Sequence, residues 1–180
     1  ILGDNIFHGL DYNLSNYKLN SSKLFLYHVP DAQNYGVAML SGKKIIKIIE
    51  KPKIPKSNLI VTGLYIYDND VIKISKNLVP SQRGELEITD VNNVYLKRKK
   101  LNFEIIKDGA MWLDAGPPES LFQASQYVKI IQERQQILIG SPHYAAYRKK
   151  FITKQSLKKI INNFSNTFYE NKLKLLCNIK

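Results

Sequence analysis

Two runs rich in Ile, Val, Leu and Tyr, residues 43–49 and 59–67, stand on either side of Glu50-Lys51-Pro52. Residues of this kind at this density read as strands, and the two runs are expected to share a buried face. Pro52 and Pro55 end the first strand, because proline cannot donate to a ladder and biases its predecessor toward extended geometry. A carboxylate and an ammonium therefore sit side by side where a strand leaves its sheet. That placement suits a grip on a polar, phosphorylated ligand, so the working site is placed at Glu50 and Lys51.

Length and composition narrow the setting. With 180 residues, 44% apolar and 23% charged, the chain can bury a sizeable core. No apolar run approaches the roughly 18 to 20 residues that span a bilayer, and no basic-then-apolar leader opens the chain. The expectation is a cytoplasmic protein with no membrane partner. The single Cys177 excludes an intramolecular disulfide framework and a cysteine-rich metal site. Ile1-Leu2-Gly3 reads as the last residues of a strand, and the chain as the later part of something longer.

The net charge of +12 has two readings. An anionic partner is one; a Lys-, Ile- and Asn-rich bias with Lys filling solvated positions is the other. A nucleic-acid-binding domain is the weaker use of that charge. The chain carries no such motif, and its aromatic residues fall at core positions of strands and helices rather than among arginines.

Along the chain, Asp4 is expected at the C-terminal end of a strand, where open α/β sheets place ligands. There it serves either as a carboxylate for Mg2+, which takes one or two carboxylates plus substrate oxygens and water, or as a turn or N-cap residue. Spacing of Leu10, Leu14 and Tyr17 predicts a helix over 7–19. Strands are expected at 23–29 and 35–40, with a hairpin through Ser41-Gly42 into 43–50. Gly36 marks a bulge or a close ligand approach. Helices follow with Val71, Ile74 and Leu78 on one face and over 85–95, then strands at 101–107 and 110–113 ending in Asp114, and a long helix over 119–136. Arg83, beside Gly84, is a clamp for phosphate or hydroxyl, or a surface salt bridge. Beyond Gly140 only short helices are expected.

The architecture expected is α/β: a mixed, mostly parallel open sheet flanked by helices over residues 1–140, with a C-terminal helical appendage over 141–180. Two aspartates at strand ends, a Glu-Lys pair and an arginine loop suit phosphorus chemistry, where the protein contributes positioning and charge stabilisation.

The ordered motifs Leu2-Gly3-Asp4-Asn5-Ile6-Phe7, Tyr35-Gly36-Val37, Glu50-Lys51-Pro52, Val61-Thr62-Gly63-Leu64-Tyr65, Arg83-Gly84-Glu85-Leu86-Glu87-Ile88-Thr89-Asp90 and Trp112-Leu113-Asp114 resemble those of the glucose-1-phosphate thymidylyltransferases. The resemblance runs in register over essentially the whole chain, including Tyr147-Arg148-Lys149 and Phe151-Ile152. It implies the nucleotide-diphospho-sugar transferase fold, incomplete at its N-terminal side. The implied reaction joins dTTP and glucose 1-phosphate into dTDP-glucose and pyrophosphate with Mg2+, for dTDP-sugars such as dTDP-rhamnose. By the same resemblance Asp4 and Asp114 bind the metal, with Asn5 near the sugar phosphate. Gly36 meets the sugar through its backbone, Glu50 accepts from glucose hydroxyls, Lys51 pairs with the phosphate, Val61 offers its carbonyl, and Tyr65 and Arg83 complete the pocket. A homotetramer is implied as well.

The family's glycine-rich nucleotide-binding loop has no counterpart in the chain. Its usual Thr-Gly-Thr after Trp-Leu-Asp is Ala115-Gly116-Pro117 here, and an acidic pair in the late helices is His143-Tyr144. The alternative is a catalytically inactive fragment or a sugar-phosphate-binding remnant.

Overall fold

The computed structural model describes residues 1–10, 21–164 and 167–179. They divide into two compact units, Ile1–Leu113 and Asp114–Lys180.

The first unit is built on a five-stranded sheet. Its strands are β2 (Ser22–His28), β3 (Gly36–Ser41), β4 (Lys44–Glu50), β5 (Leu59–Ile66) and β6 (Leu101–Ile105), in the order β4-β3-β5-β2-β6. A second, two-stranded sheet pairs β1 (Asn5–His8) with β7 (Met111–Asp114). Helices α1 (Asp70–Lys76) and α2 (Ile88–Lys97) lie between β5 and β6 in the chain. The sheet is mixed and flanked by helices, as expected, but the parallel majority is absent from the described pairings. β2 with β5, β3 with β4 and β3 with β5 are antiparallel, and β2 with β6 is parallel. A short turn joins β3 to β4, and a hairpin imposes opposite directions on its strands.

Alternation along β5 splits the core. Leu59 and Val61 pack with Leu24, Leu26, Ala38, Ile45 and Ile48 on one face. Ile60 packs with Val29, Val37 and Trp112 on the other. The two runs flanking Glu50-Lys51-Pro52 thus share a buried face, although β3 lies between them.

Ile45 and Ile48 are buried although they are three apart, because the register slips between Met39 and Leu40. Met39 faces Lys47 and Leu40 faces Ile45, so Ile46 is extra and 55% exposed. This bulge was not expected; Gly36, where a bulge was one of two readings, is in register opposite Glu50. A second irregularity sets Phe25 alone against residues 62–64 of β5.

Several expected elements shift. Residues 1–3 are not strand: Leu2 N–H donates to Gly63 O at 2.9 Å, and Asn5 N–H folds back to Leu2 O at 3.3 Å, which makes a turn rather than a ladder. Asp4 consequently precedes a strand instead of ending one. Phe7 and His8 belong to β1 rather than to a helix, and Gly9 follows at φ +74°; the rest of that predicted helix from residue 11 onward lies outside the described residues. The second helix starts at Ile88, not at residue 85, because Ser81 N–H takes the Glu85 carbonyl and Arg83 ties to Glu85 in the preceding loop. Asn69 occupies the first cap position, but Asp68 supplies the side-chain bond, to Asp70 N–H at 3.1 Å.

The second unit contains α3 (Pro118–Gln135), α4 (Pro142–Arg148), α5 (Lys154–Ile161) and α6 (Phe168–Leu176). Ser141, Thr153 and Thr167 cap α4, α5 and α6 by accepting from backbone N–H groups three residues on. Leu157, Ile161, Leu173, Cys177 and Ile179 form its core, joined by Leu138. Burial raises the Cys177 thiol pKa. The division falls after Leu113 rather than at residue 140, since Leu138 and the bond from Lys172 to Gln136 tie the end of α3 to the later helices. Among the described residues no helix is long and apolar enough to cross a membrane.

Candidate active site

Gly36 and Glu50 are cross-strand partners at the ends of β3 and β4. Thr89, the second residue of α2 and 3% exposed, donates its hydroxyl to Glu50 Oε2. A Cβ on Gly36 would stand 3.0 Å from Thr89 Oγ1 and 3.2 Å from Glu50 Oε2. Glycine is thus what lets the β3 backbone lie against this pair.

Tyr65, on β5, faces the same region. Burial raises its hydroxyl pKa far above 10.0, and the nearby carboxylates of Glu50 and then Asp4 raise it further. Glu50, Tyr65 and Asp4, from three parts of the chain, therefore share one electrostatic neighbourhood. Tyr65 stacks on Tyr67 and Tyr67 on Tyr95, with ring centroids 5.7 and 5.4 Å apart. Tyr67 donates to Asn92 Oδ1 and Tyr95 to Asp68 Oδ1, each at 2.6 Å.

Lys51 follows β4 and is exposed. Its N–H donates to Tyr35 O at 3.0 Å, and its φ is +39°, a left-handed conformation that costs a non-glycine residue about 1 kcal/mol or more. That strain is borne by the residue beside Glu50.

Asn5 is the most connected polar side chain here. Its Oδ1 accepts from Gly63 N–H at 2.9 Å and from Trp112 Nε1–H at 2.6 Å, and its Nδ2 donates to Asp4 Oδ1 at 2.8 Å. The irregularity opposite Phe25 turns Gly63 N–H toward Asn5, while Thr62 Oγ1 donates to Phe25 O at 2.8 Å. A Cβ on Gly63 would lie 2.5 Å from Asn5 Oδ1, a distance no side chain tolerates.

The remaining expected residues are placed differently. The Val61 side chain is in the core. Arg83 is held within its own loop, to Glu85 at 2.7 Å and Glu87 at 3.6 Å, which is the surface salt-bridge alternative. Asp114, in the second unit, accepts from Gly116 N–H at 3.1 Å. Among the described residues no group of three or more His, Cys, Asp and Glu could hold a metal ion. Reading from the sequence missed the role of Thr89. It lies inside the Arg83 to Asp90 motif, but nothing local says that the start of α2 reaches the end of β4.

Comparison with known proteins shows the family. Residues 1–130 match the family model described as nucleotidyl transferase. A glucose-1-phosphate thymidylyltransferase from Mycolicibacterium smegmatis is 42% identical over 160 residues, covering 87% of this chain and 56% of that protein. One from Neisseria gonorrhoeae is 37% identical over 174 residues, covering 94% and 60%. Among solved structures, a Bacillus anthracis protein described as a glucose-1-phosphate thymidylyltransferase in complex with a sucrose aligns at 44% identity and TM-score 0.60, covering 71% of this chain and 52% of its own. UDP-glucose pyrophosphorylase complexed with UDP-glucose aligns at 28% identity and TM-score 0.52, covering 59% and 43%. The chain thus spans little more than half the length of these two curated relatives, 56% of the first and 60% of the second. With the matched model covering most of its length, the chain belongs to the nucleotidyl transferase family.

Proposed function

We propose that this chain forms the sugar-phosphate side of a glucose-1-phosphate thymidylyltransferase, which makes dTDP-glucose and pyrophosphate from dTTP and glucose 1-phosphate. The observation that carries the reading is the convergence of Gly36, Glu50, Thr89 and Tyr65, with Asp4 close enough to act on the Tyr65 hydroxyl. A sugar needs acceptors for its hydroxyls and a backbone without side chains in the way, and Glu50 and Gly36 supply both.

In this mechanism Glu50, steadied by Thr89, accepts from sugar hydroxyls, while the Gly36 backbone and the Val61 carbonyl complete the ring contacts. The Lys51 ammonium pairs with the sugar phosphate and offsets its repulsion from the triphosphate. A phosphate oxygen of the sugar then attacks the nucleotide α-phosphorus in line, and pyrophosphate leaves; the protein's contribution is orientation and charge. Arg83 joins only if it exchanges Glu85 for a ligand oxygen. Mg2+ supplies charge neutralisation on phosphate oxygens when bound, and Asp4 and Asp114 are the carboxylates assigned to it. Both are hard oxygen donors, and Mg2+ takes its remaining ligands from phosphate and water.

The thymine base, which the relatives' names support, belongs to the same proposal, and so do the supply of dTDP-sugars such as dTDP-rhamnose and a homotetrameric assembly, which rest on the sequence resemblance alone, and a cytoplasmic setting. The protein carrying this chain, incubated with dTTP, glucose 1-phosphate and Mg2+, is expected to release pyrophosphate and form dTDP-glucose. Binding of glucose 1-phosphate with no turnover would point instead to a sugar-phosphate-binding remnant, and neither binding nor turnover would sink both readings.

A further inference from the structure

We propose that Asn5 is a positioning residue whose carboxamide sets the direction of the Asp4 carboxylate. Asn5 Oδ1 faces two N–H donors, Gly63 N at 2.9 Å and Trp112 Nε1 at 2.6 Å. Reversing the amide would aim N–H at N–H in both places, so its orientation is fixed by chemistry. The Nδ2 group is left pointing at Asp4 Oδ1, 2.8 Å away.

Both donors are themselves rigid. Gly63 is buried backbone in β5, and an added Cβ there would displace the amide. Trp112 is 6% exposed and is wedged edge-on against Tyr35 at 5.3 Å, with Tyr27 at 5.9 Å. Asp4, by contrast, is exposed, and an exposed carboxylate samples its rotamers freely unless something holds it. Asn5 therefore transmits a direction set by β5 and β7 to a surface carboxylate. What Asp4 then receives, a divalent cation and a sugar phosphate, rests on the function proposed above. In place of the direct substrate contact that the resemblance implies, Asn5 acts through its neighbour.

The test is a double-mutant cycle on the intact protein, with Mn2+ as the probe and electron paramagnetic resonance as the readout. Asn5→Ala is expected to weaken Mn2+ binding about tenfold, the usual scale for losing a residue that orients a ligand. Asp4→Ala should weaken it further, and the double variant should match Asp4→Ala alone, because Asn5 has nothing left to orient. Asn5→Asp keeps the two acceptor contacts and loses the donor. It should melt within about 2 °C of the native protein, retain the Trp112 indole N–H signal and lose at least tenfold in kcat; if Asn5→Ala fails to fold, this variant carries the test. Additive effects in the cycle, native kcat in Asn5→Asp, or native Mn2+ affinity in Asp4→Ala would each overturn the inference. Native protein that binds Mn2+ but forms no dTDP-glucose would instead sink the proposed reaction and leave the cycle readable.

Discussion

The hydroxyl of Thr89, at the start of α2, donates to the carboxylate of Glu50, at the end of β4. The two residues are 39 positions apart, and the contact joins the α2 terminus to the strand edge that faces Gly36.

Replacing Thr89 by Val keeps its shape and removes the donor. The buried side of Glu50 then lacks its partner, at a cost of about 1–3 kcal/mol. The expected outcome is a lower midpoint in urea and weaker glucose 1-phosphate binding by calorimetry, with Thr89→Ser restoring both. Unchanged affinity in Thr89→Val would separate this contact from the sugar pocket.

Gly36→Ala inserts a methyl 3.0 Å from Thr89 Oγ1 and 3.2 Å from Glu50 Oε2. The pair must give way by a few tenths of an ångström, so stability should fall by about 1 kcal/mol, at the low end for overpacking. KM for glucose 1-phosphate should rise more than kcat falls. Steady-state kinetics at varied sugar phosphate provides the measurement.

Lys51 separates backbone strain from charge. Its φ of +39° suits glycine, so Lys51→Gly should be as stable as the native protein or up to about 1 kcal/mol more so, while losing the ammonium. Lys51→Ala keeps the strain and loses the charge as well. Both are expected to turn over poorly, by a hundredfold or so if the ammonium offsets phosphate repulsion in the transition state. Thermal melts and pyrophosphate release on the two variants check this, and native turnover in either removes Lys51 from the mechanism.

The stacked tyrosines make alkaline stability a third readout of the fold. Tyr65, Tyr67 and Tyr95 all have hydroxyl pKa values raised well above 10.0, in each case chiefly by burial. In the unfolded chain they lose protons near the ordinary value, so their contribution is fully present below about pH 10 and declines as pH rises beyond it. Ultraviolet titration of tyrosinate should show these three ionising only with unfolding, and Tyr65→Phe should lessen the alkaline loss.

Much of the first unit was legible because its signals are local. Runs of Ile and Val marked β4 and β5, Ser41-Gly42 marked the hairpin between β3 and β4, and Pro52 marked where β4 ends. The ordered motifs also named Gly36, Glu50 and Tyr65, which the fold does bring together. The failures are equally physical. Phe7 and His8 fall inside the helix expected from Leu10, Leu14 and Tyr17 but lie in the strand that pairs with β7, a contact about a hundred residues away in the chain that no periodicity can register. The strand directions depended on which neighbours meet: β5 runs antiparallel to both β2 and β3, which no local signal marks, and this removes the expected parallel majority from the described pairings.

Glu50 and Lys51 show the division most clearly. Sequence alone determined that a Glu-Lys pair stands at the exit of a strand, because alternation and proline act over a few residues. Only the tertiary structure decided that Thr89 holds Glu50, that Gly63 must lack a side chain, and that Asn5 spends its amide on β5, β7 and Asp4. Those facts arise from groups 39 to 107 residues apart meeting at hydrogen-bonding distance, and such meetings are set by packing rather than by local propensity.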